Sequence, residues 1–418
     1  MKKTIEASLT EDYTHPVRDV LWGHIYMTEE LAQLTESAPF KRLCRIFQLG
    51  PVYHVYPGAT HTRASHSFGV YHLGRRLLQN LAERGASSWL STHGVKSFLA
   101  ACLLHDLGHF PYTHSLKELP LTPHESLTGT VILKEPVKSL VAATGADPDL
   151  CAAIVDKDFE TAKSEDELYF YRKLLSGALD PDKLDYLNRD ARFCGVPYGS
   201  QDVDFILSRL YPDKERGVDI DSRLIPNVES ILFSKYLMYK TVYWHHQIRA
   251  ATAMIKKALI NGLESEKITG TELYNLDDTS LFALIGEKTG DPLIEAAHEG
   301  KFFITAAEIP HEQVNLDVIR DLNCRPRLEK ELAREMGIDP KSLIIDVPEP
   351  VSFETGLYVV DEECSFNESS SAFKTETINA FRQTLYTIRI FTDQKYKDTL
   401  KTFPQICSIL NKVIDREV

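Results

Sequence analysis

Leu103-Leu104-His105-Asp106-Leu107-Gly108-His109 closes an apolar run that opens at Phe98. The run reads as a buried helix, and Gly108 gives it a place to stop. Neighbouring helical residues point about 100° apart, so His105 and Asp106 cannot share one face. Both reach a common point only beyond the helix end, where the last turn opens into a loop. A divalent cation at that point would take the imidazole nitrogen and the carboxylate oxygen together. Taken alone, such a dipeptide is more often a capping Asp beside a hydrogen-bonded core His, so its surroundings must decide.

Working outward, histidines crowd this stretch: nine of the chain's fifteen fall between residues 54 and 124. Clustering of that kind favours metal or proton-transfer chemistry over scattered structural use. Upstream, Ser65-His66-Ser67 opens a helix whose Val70, Leu73, Leu77, Leu78 and Leu81 form an apolar stripe, with His66 in the first turn. Before it, Tyr53 to Arg63 reads as a loop, Leu31 to Phe47 as helices, and Val17 to Tyr26 as a strand or hairpin. Downstream, Pro111 keeps residues 109–114 out of regular helix, which puts His109 and His114 on a tight turn. His124-Glu125 starts another helix after Pro123, and several short helices follow over 131–175.

In Leu179 to Asp190, Pro181 and the acidic residues mark a helix start. Asp182, Tyr186, Arg189 and Asp190 stand at i, i+4, i+7 and i+8, on one face with Lys183 at its border. Leu184 and Leu187 make the opposite face apolar. Residues 226–263 read as one long helical region, where Tyr236, Tyr239, Tyr243 and His246 form a stripe suited to a core or a subunit contact, with the wall of a nucleotide pocket as the functional alternative. Beyond about Glu264 the character changes. Leu273 to Gly286 is expected as a helix, 302–305, 343–347 and 385–391 as strands, and Glu363 to Ala372 as an exposed loop. The expected fold is mainly α: a helical catalytic core over 1–265 and a smaller α+β region over 266–418.

Composition bounds the function. The chain has 418 residues, 43% hydrophobic and 26% charged, with a net charge of -13. That balance argues against a nucleic-acid binder, which normally carries a basic face, but leaves room for a polyanionic substrate in one locally cationic pocket. Seven cysteines, without a C-x-x-C pair, fit a reducing compartment. With no signal-peptide pattern and no run near ~20 apolar residues, the expectation is a cytoplasmic protein without a membrane span.

His66, His105-Asp106 and Asp182, in that order and spacing, resemble the H…HD…D signature of the HD-domain metal-dependent phosphohydrolases. The likeness extends to Tyr56 through Val70, to the His-Asp-x-x-Gly-His-x-Pro-x-x-His run over 105–114, and to Asp182-Lys183-Leu184-Asp185-Tyr186. Together these resemble the branch containing the SAM-and-HD-domain deoxynucleotide triphosphohydrolase and its bacterial relatives. The resemblance covers roughly residues 15–265. It implies one divalent metal (Mn, Mg, Fe, Co, Ni or Zn) held by His66, His105, Asp106 and Asp182. It implies a triphosphate facing Arg63, His109, His114, His124, Lys183 and Tyr186, and a sugar facing Gln48 and Asp190. His114 or His124 would protonate the leaving oxygen, since imidazole titrates near neutral pH. The implied reaction converts a dNTP to a deoxynucleoside and inorganic triphosphate, in a homo-oligomer.

The chain departs from that pattern in places. Lys117, followed by Glu118, stands where the vertebrate enzyme has an acidic residue three positions after its catalytic His. Glu36, Lys41 and Cys44 replace the residues of the vertebrate guanine-sensing site, so activation of that kind is not expected. Two alternatives stay open: an HD phosphohydrolase acting on another nucleotide or phosphoester, and a nucleotide sensor that binds without turnover. The (p)ppGpp hydrolases carry Glu-Asp where His109-Phe110 stand here, which disfavours that member of the first alternative.

Overall fold

A computed structural model describes residues 4–160, 165–400 and 405–417. The chain is mainly helical and forms two compact units that interleave along the sequence. The first contains Met1–Met238, Gly270–Leu281 and Glu354–Lys374; the second contains Tyr239–Thr269, Phe282–Phe353 and Thr375–Val418. Among the described residues no helix is long and apolar enough to cross a membrane.

After a short helix, Ile5–Thr10, the first unit forms the expected hairpin, β1 (His15–Asp19) paired antiparallel with β2 (Gly23–Met27). Its turn is closed by Asp19, whose Oδ1 accepts the amides of Leu21 and Trp22 at 2.8 and 3.0 Å. Four helices then carry the residues that matter most: α1 (Arg63–Glu83), α2 (Thr92–Leu104), α3 (His124–Ile132) and α4 (Pro181–Cys194). Helix α1 begins at Arg63 rather than Ser65, because the Thr62 hydroxyl caps it by accepting the Ser65 amide. His66 therefore sits in the first turn, and Val70, Leu73, Leu77, Leu78 and Leu81 are buried along one side.

Helix α2 is apolar all round because it is buried all round; Phe98 through Leu104 are at most 1% exposed. It ends at Leu104, with His105 as its cap. Gly108 is required just beyond: a Cβ there would lie 2.1 Å from the His124 carbonyl oxygen and 2.5 Å from the Thr128 amide. The first turn of α3 thus presses against the loop. Thr128 ties the two together, its hydroxyl accepting from the Gly108 amide at 2.8 Å and donating to the His105 carbonyl at 3.0 Å. Helix α4 starts where Pro181 and Asp180 place it, with Asp180 Oδ1 accepting the Lys183 amide at 2.7 Å. Its polar face is sheltered over most of its length: Asp185, Arg189 and Asp190 are at most 2% exposed, and only its first turn, at Asp182, is open. Helices α1 and α4 come so close that a Cβ at Gly69 would lie 1.8 Å from Asp185 Oδ1.

Later in the chain the structure corrects several expectations. The long helical region is broken: a helix Ile225–Met238 gives way to a wide turn, Tyr239–Tyr243, and a second helix starts at His246. The Trp244 amide donates to the Tyr239 carbonyl at 2.9 Å, and the two rings meet edge-on at 5.2 Å, burying the indole. The tyrosine stripe therefore does not lie on one continuous helix. Leu273 to Gly286 is also split, into Gly270–Leu273 and Asp278–Thr289. Asp277 restarts the helix by accepting the Ser280 amide at 2.9 Å.

Glu363 to Ala372 is only in part the exposed loop expected: Glu363, Asn367, Glu368, Ser370 and Ala372 are exposed, but the rest is paired or half-buried to buried. Tyr358–Val359 and Cys364–Ser365 extend the strands Leu210–Asp213 and Gly217–Ile220 into a four-stranded sheet. Phe366, Ser369 and Ser371 are buried, and Glu229 holds the Ser371 hydroxyl and the Ala372 amide, both at 2.7 Å. Serine-rich composition misled because each buried hydroxyl found a partner.

The second unit contains the three expected strands. Thr387–Thr392 lies between Ile304–Pro310 and Leu343–Asp346, antiparallel to both. The first strand runs further than the sequence suggests, through two alanines and a bulge between Thr305 and Ala307. Leu328, Leu332, Ile345, Ile388, Ile390 and Leu410 form this unit's core.

Candidate metal centre

The end of α2, the first turn of α1 and the first turn of α4 converge within the first unit. His66 Nε2 lies 2.9 Å from Asp182 Oδ1, and His105 Nε2 lies 4.0 Å from the same oxygen. Ligand atoms of His66, His105 and Asp182 all fall within 4.8 Å of one another. Asp106 adjoins this trio; its Oδ1 is 3.3 Å from His105 Nε2. Its Oδ2 accepts from Arg63 Nη1 at 2.8 Å.

These atoms fit a divalent cation by a direct structural test. His105 Nε2 is a buried ring nitrogen without a hydrogen-bond partner, while its Nδ1 is engaged by the Cys102 carbonyl at 2.9 Å. A nitrogen so oriented, facing carboxylate oxygens, is the arrangement a metal completes. Two imidazoles and two carboxylates also suit the charge of a dication.

Behind the trio stands a layer of residues that the motif did not mark as functional. Asp185 Oδ2 lies 2.8 Å from His66 Nδ1. Its carboxylate also takes two bonds from Arg189, at 2.8 and 2.9 Å, and one from the Trp22 indole at 2.6 Å. Arg189 in turn donates to Asp19 at 2.8 Å. A carboxylate behind a ligating histidine fixes the ring and its tautomer. Burial works to raise the Asp185 carboxyl, but Arg189 and His66 outweigh it and hold it near 2. Burial likewise works to lower His66, yet its bonds to Asp182 and Asp185 raise it to about 10. Both nitrogens of the His66 ring thus face carboxylates, and a cation at Nε2 would compete with a proton on that nitrogen. Asp106 is held well below the carboxylate range; burial opposes this, and His109, His105 and Arg63 prevail.

Arg42 is a second unanticipated residue. Buried between apolar neighbours, its guanidinium donates to the carbonyls of His109 and Leu107, both at 2.6 Å, and Leu276 at 3.0 Å. It anchors the loop that carries Asp106 and His109. Only the placement of an arginine between Phe40 and Leu43, on a stripe otherwise apolar, hinted at it.

A second group of imidazoles adjoins Asp106. His109 Nδ1 lies 3.1 Å from Asp106 Oδ1, and His109 Nε2 lies 3.1 Å from His114 Nε2. The His124 ring centre is 3.9 Å from that of His109 and 5.2 Å from that of His114. Burial pushes His124 down to about 2, assisted by His114. Burial and Arg63 also push His109 well down. His114 is exposed.

The remaining sequence candidates divide. Gln48 and Asp190 meet around His61: the Gln48 amide donates to the His61 carbonyl at 3.0 Å, and His61 Nε2 lies 2.7 Å from Asp190 Oδ1. Gln48 Oε1 is buried without a hydrogen-bond partner. Tyr186 is half-buried one turn beyond Asp182. Lys183 does not reach the histidines; its ammonium is held by Asp180 Oδ2 at 2.7 Å and the Gly177 carbonyl at 3.0 Å.

A helical unit with a His-His-Asp trio, His66 buried and the other two half-buried, and an adjoining buried Asp defines a protein of the metal-binding, HD type. Comparison with known families agrees. The HD domain model matches residues 63–169, and the HD associated region model matches residues 202–412. The chain belongs to the HD-domain phosphohydrolase family and carries both its parts.

It is similar to an uncharacterized protein of Mycoplasma pneumoniae, the MG461 homolog, at 33% identity over 54% of this chain and 55% of that one. The human deoxynucleoside triphosphate triphosphohydrolase SAMHD1 is 28% identical over 61% of this chain and 45% of its own length. The chain thus spans about half the length of these two relatives. The crystal structure of a hypothetical protein from Aquifex aeolicus superposes with a TM-score of 0.73 at 25% identity, covering 93% of this chain and 99% of that one.

Proposed function

We propose that this chain is a metal-dependent deoxynucleoside triphosphate triphosphohydrolase, releasing a deoxynucleoside and inorganic triphosphate. The observation that carries the reading is the buried, unpartnered His105 Nε2 facing Asp182 beside His66 and Asp106. His66, His105, Asp106 and Asp182 would hold one divalent cation, which supplies Lewis acidity toward water and a phosphoryl oxygen when bound.

The chain's own residues do the rest. Asp185 orients His66, and Arg63 orients Asp106 while presenting positive charge to the polyphosphate. His109, His114 and His124 line the polyphosphate's path as neutral imidazoles, and an arriving polyanion raises their affinity for protons. His114, exposed to solvent and 3.1 Å from His109 Nε2, supplies the proton to the leaving oxygen, with His124 as its neighbour. Gln48 Oε1 and Asp190 read the sugar hydroxyl beside His61. In this reading Lys183 leaves its bond to Asp180 to meet phosphate, and Tyr186 packs beside it. All seven cysteines are free thiols, which supports the proposed cytoplasmic setting.

The preference for a dNTP rests on the similarity to the human enzyme. The test is a product-resolved assay of the purified chain with each of the four dNTPs and Mn, Mg, Co, Ni or Fe. Triphosphate and deoxynucleoside in equal amounts are expected from at least one dNTP. Orthophosphate or a nucleoside monophosphate would contradict the bond assignment and favour an HD phosphohydrolase of other specificity. Binding without turnover under every metal would favour a sensor.

A further inference from the structure

Beside the proposed metal centre lies a donor set built wholly of nitrogen. His109, His114 and His124 each offer a ring nitrogen within 4.8 Å of the other two. They come from three places: the loop after α2, the 3₁₀ turn Thr113–Leu116, and the first residue of α3. Each element is fixed independently. Arg42 holds the His109 carbonyl, Thr113 bonds back to Phe110, and Gly108 and Thr128 lock α3 to the loop. The outer nitrogens of two rings face acids. His109 Nδ1 is 3.1 Å from Asp106 Oδ1, and His124 Nδ1 is 3.1 Å from Glu125 Oε2. That orientation turns their Nε2 atoms inward.

We infer that His109, His114 and His124 form a second cation site, selective for a nitrogen-preferring ion of the Zn²⁺ type, whose occupancy shuts the proposed hydrolase down. The dimensions suit it. Bonds of about 2.0–2.1 Å at tetrahedral angles set neighbouring donors about 3.3 Å apart. His109 and His114 already stand 3.1 Å apart at Nε2. Closing the third side needs a rotation of His114, the exposed member, which also gives the ion its way in. Three imidazoles and no oxygen favour Zn²⁺ over Mg²⁺ or Mn²⁺, which prefer carboxylate and water. The first centre, with two carboxylates, accepts Zn²⁺ as well but also suits Mn²⁺.

The consequence follows from the reading under "Proposed function", on which this inference rests. Those three rings are the groups assigned to protonate and receive the polyphosphate. An ion on their Nε2 lone pairs removes the donor and adds a rigid obstacle. Activity with Mn²⁺ in the first centre is thus expected to fall as Zn²⁺ is added, even where the first centre keeps its Mn²⁺.

The experiment is equilibrium dialysis of the whole chain against Zn²⁺, read by elemental analysis, with circular dichroism to confirm folding. Wild type is expected to hold two Zn²⁺ per chain. His66→Ala should hold one, and His114→Gln with His124→Gln should hold one. Because His114 is exposed, His114→Gln alone keeps the fold intact and should weaken the second Zn²⁺ at least about tenfold. One Zn²⁺ in wild type, or two retained undiminished in the His114→Gln, His124→Gln chain, would overturn the site. One Zn²⁺ bound beside one retained Mn²⁺, without slowing of the active enzyme, would overturn the shutdown. If no nucleotide is hydrolysed under any condition, the hydrolase reading fails and the shutdown with it. The stoichiometry would still decide the site.

Discussion

At Asp185, three partners meet on one carboxylate: His66, Arg189 and the Trp22 indole. Asp185→Asn should keep the shape but misorient the His66 ring, lowering metal affinity roughly 10–100-fold; calorimetric titration would show it, and unchanged affinity would contradict the role. The proton on His66 makes a second test. Its raised value stabilises the metal-free fold fully below 6.5, and that contribution is lost as pH rises through about 10. Metal must displace the same proton, so binding should tighten with pH across this window and release about one proton. Titrations in buffers of different ionisation enthalpy measure that release directly, and none would mean the imidazole is already neutral.

The sequence revealed the candidate ligands because His105-Asp106 and Asp182 sit in local patterns. It concealed Asp185 and Trp22 as partners because Asp185 meets His66 across 119 residues and Trp22 across 163. Pairing at that range has no periodic signature.

Among the elements, the loop after α2 is the one under most constraint. Arg42 supplies the partner for the buried His109 and Leu107 carbonyls and the part-buried Leu276 carbonyl, so Arg42→Met should destabilise the fold on the order of 3 kcal/mol. Urea denaturation reads this; a loss below about 1 kcal/mol would show that water replaces the guanidinium. The contact of α1 with α4 gives a parallel case. A methyl at Gly69 would collide with Asp185, so Gly69→Ala should cost about 1–3 kcal/mol and weaken metal binding as well. A neutral outcome in both measurements would mean that the helices separate freely.

The start of α4 was readable because Asp180 and Pro181 mark it, whereas the Thr62 and Ser91 caps begin their helices earlier than the apolar spacing shows. The break after Met238 was not readable, since it depends on burying Trp244 rather than on any proline or glycine.

Across the whole molecule, the mainly helical class followed from long runs of helical spacing, and the three strands of the second unit from β-branched and aromatic runs. The interleaving of the units was hidden. Residues 270–281 and 354–374 belong with the first unit, placed there by contacts such as the Phe47 amide on Asp278 at 2.7 Å and Glu229 on Ser371. Composition carries no trace of such returns. The homo-oligomer that the family resemblance implies belongs to this scale too. Light scattering should give a multiple of 47.4 kDa, and a monomer at assay concentration would contradict it.

The central claim is that side chains from three helix ends share one cation. Anomalous diffraction from crystals grown with Mn²⁺ measures this most directly. The account predicts a single strong peak within about 2.0–2.3 Å of His66 Nε2, His105 Nε2 and the carboxylates of Asp106 and Asp182. A Mn²⁺-loaded, active crystal whose peak lies elsewhere, or whose His66 still bonds Asp182 directly, would contradict it.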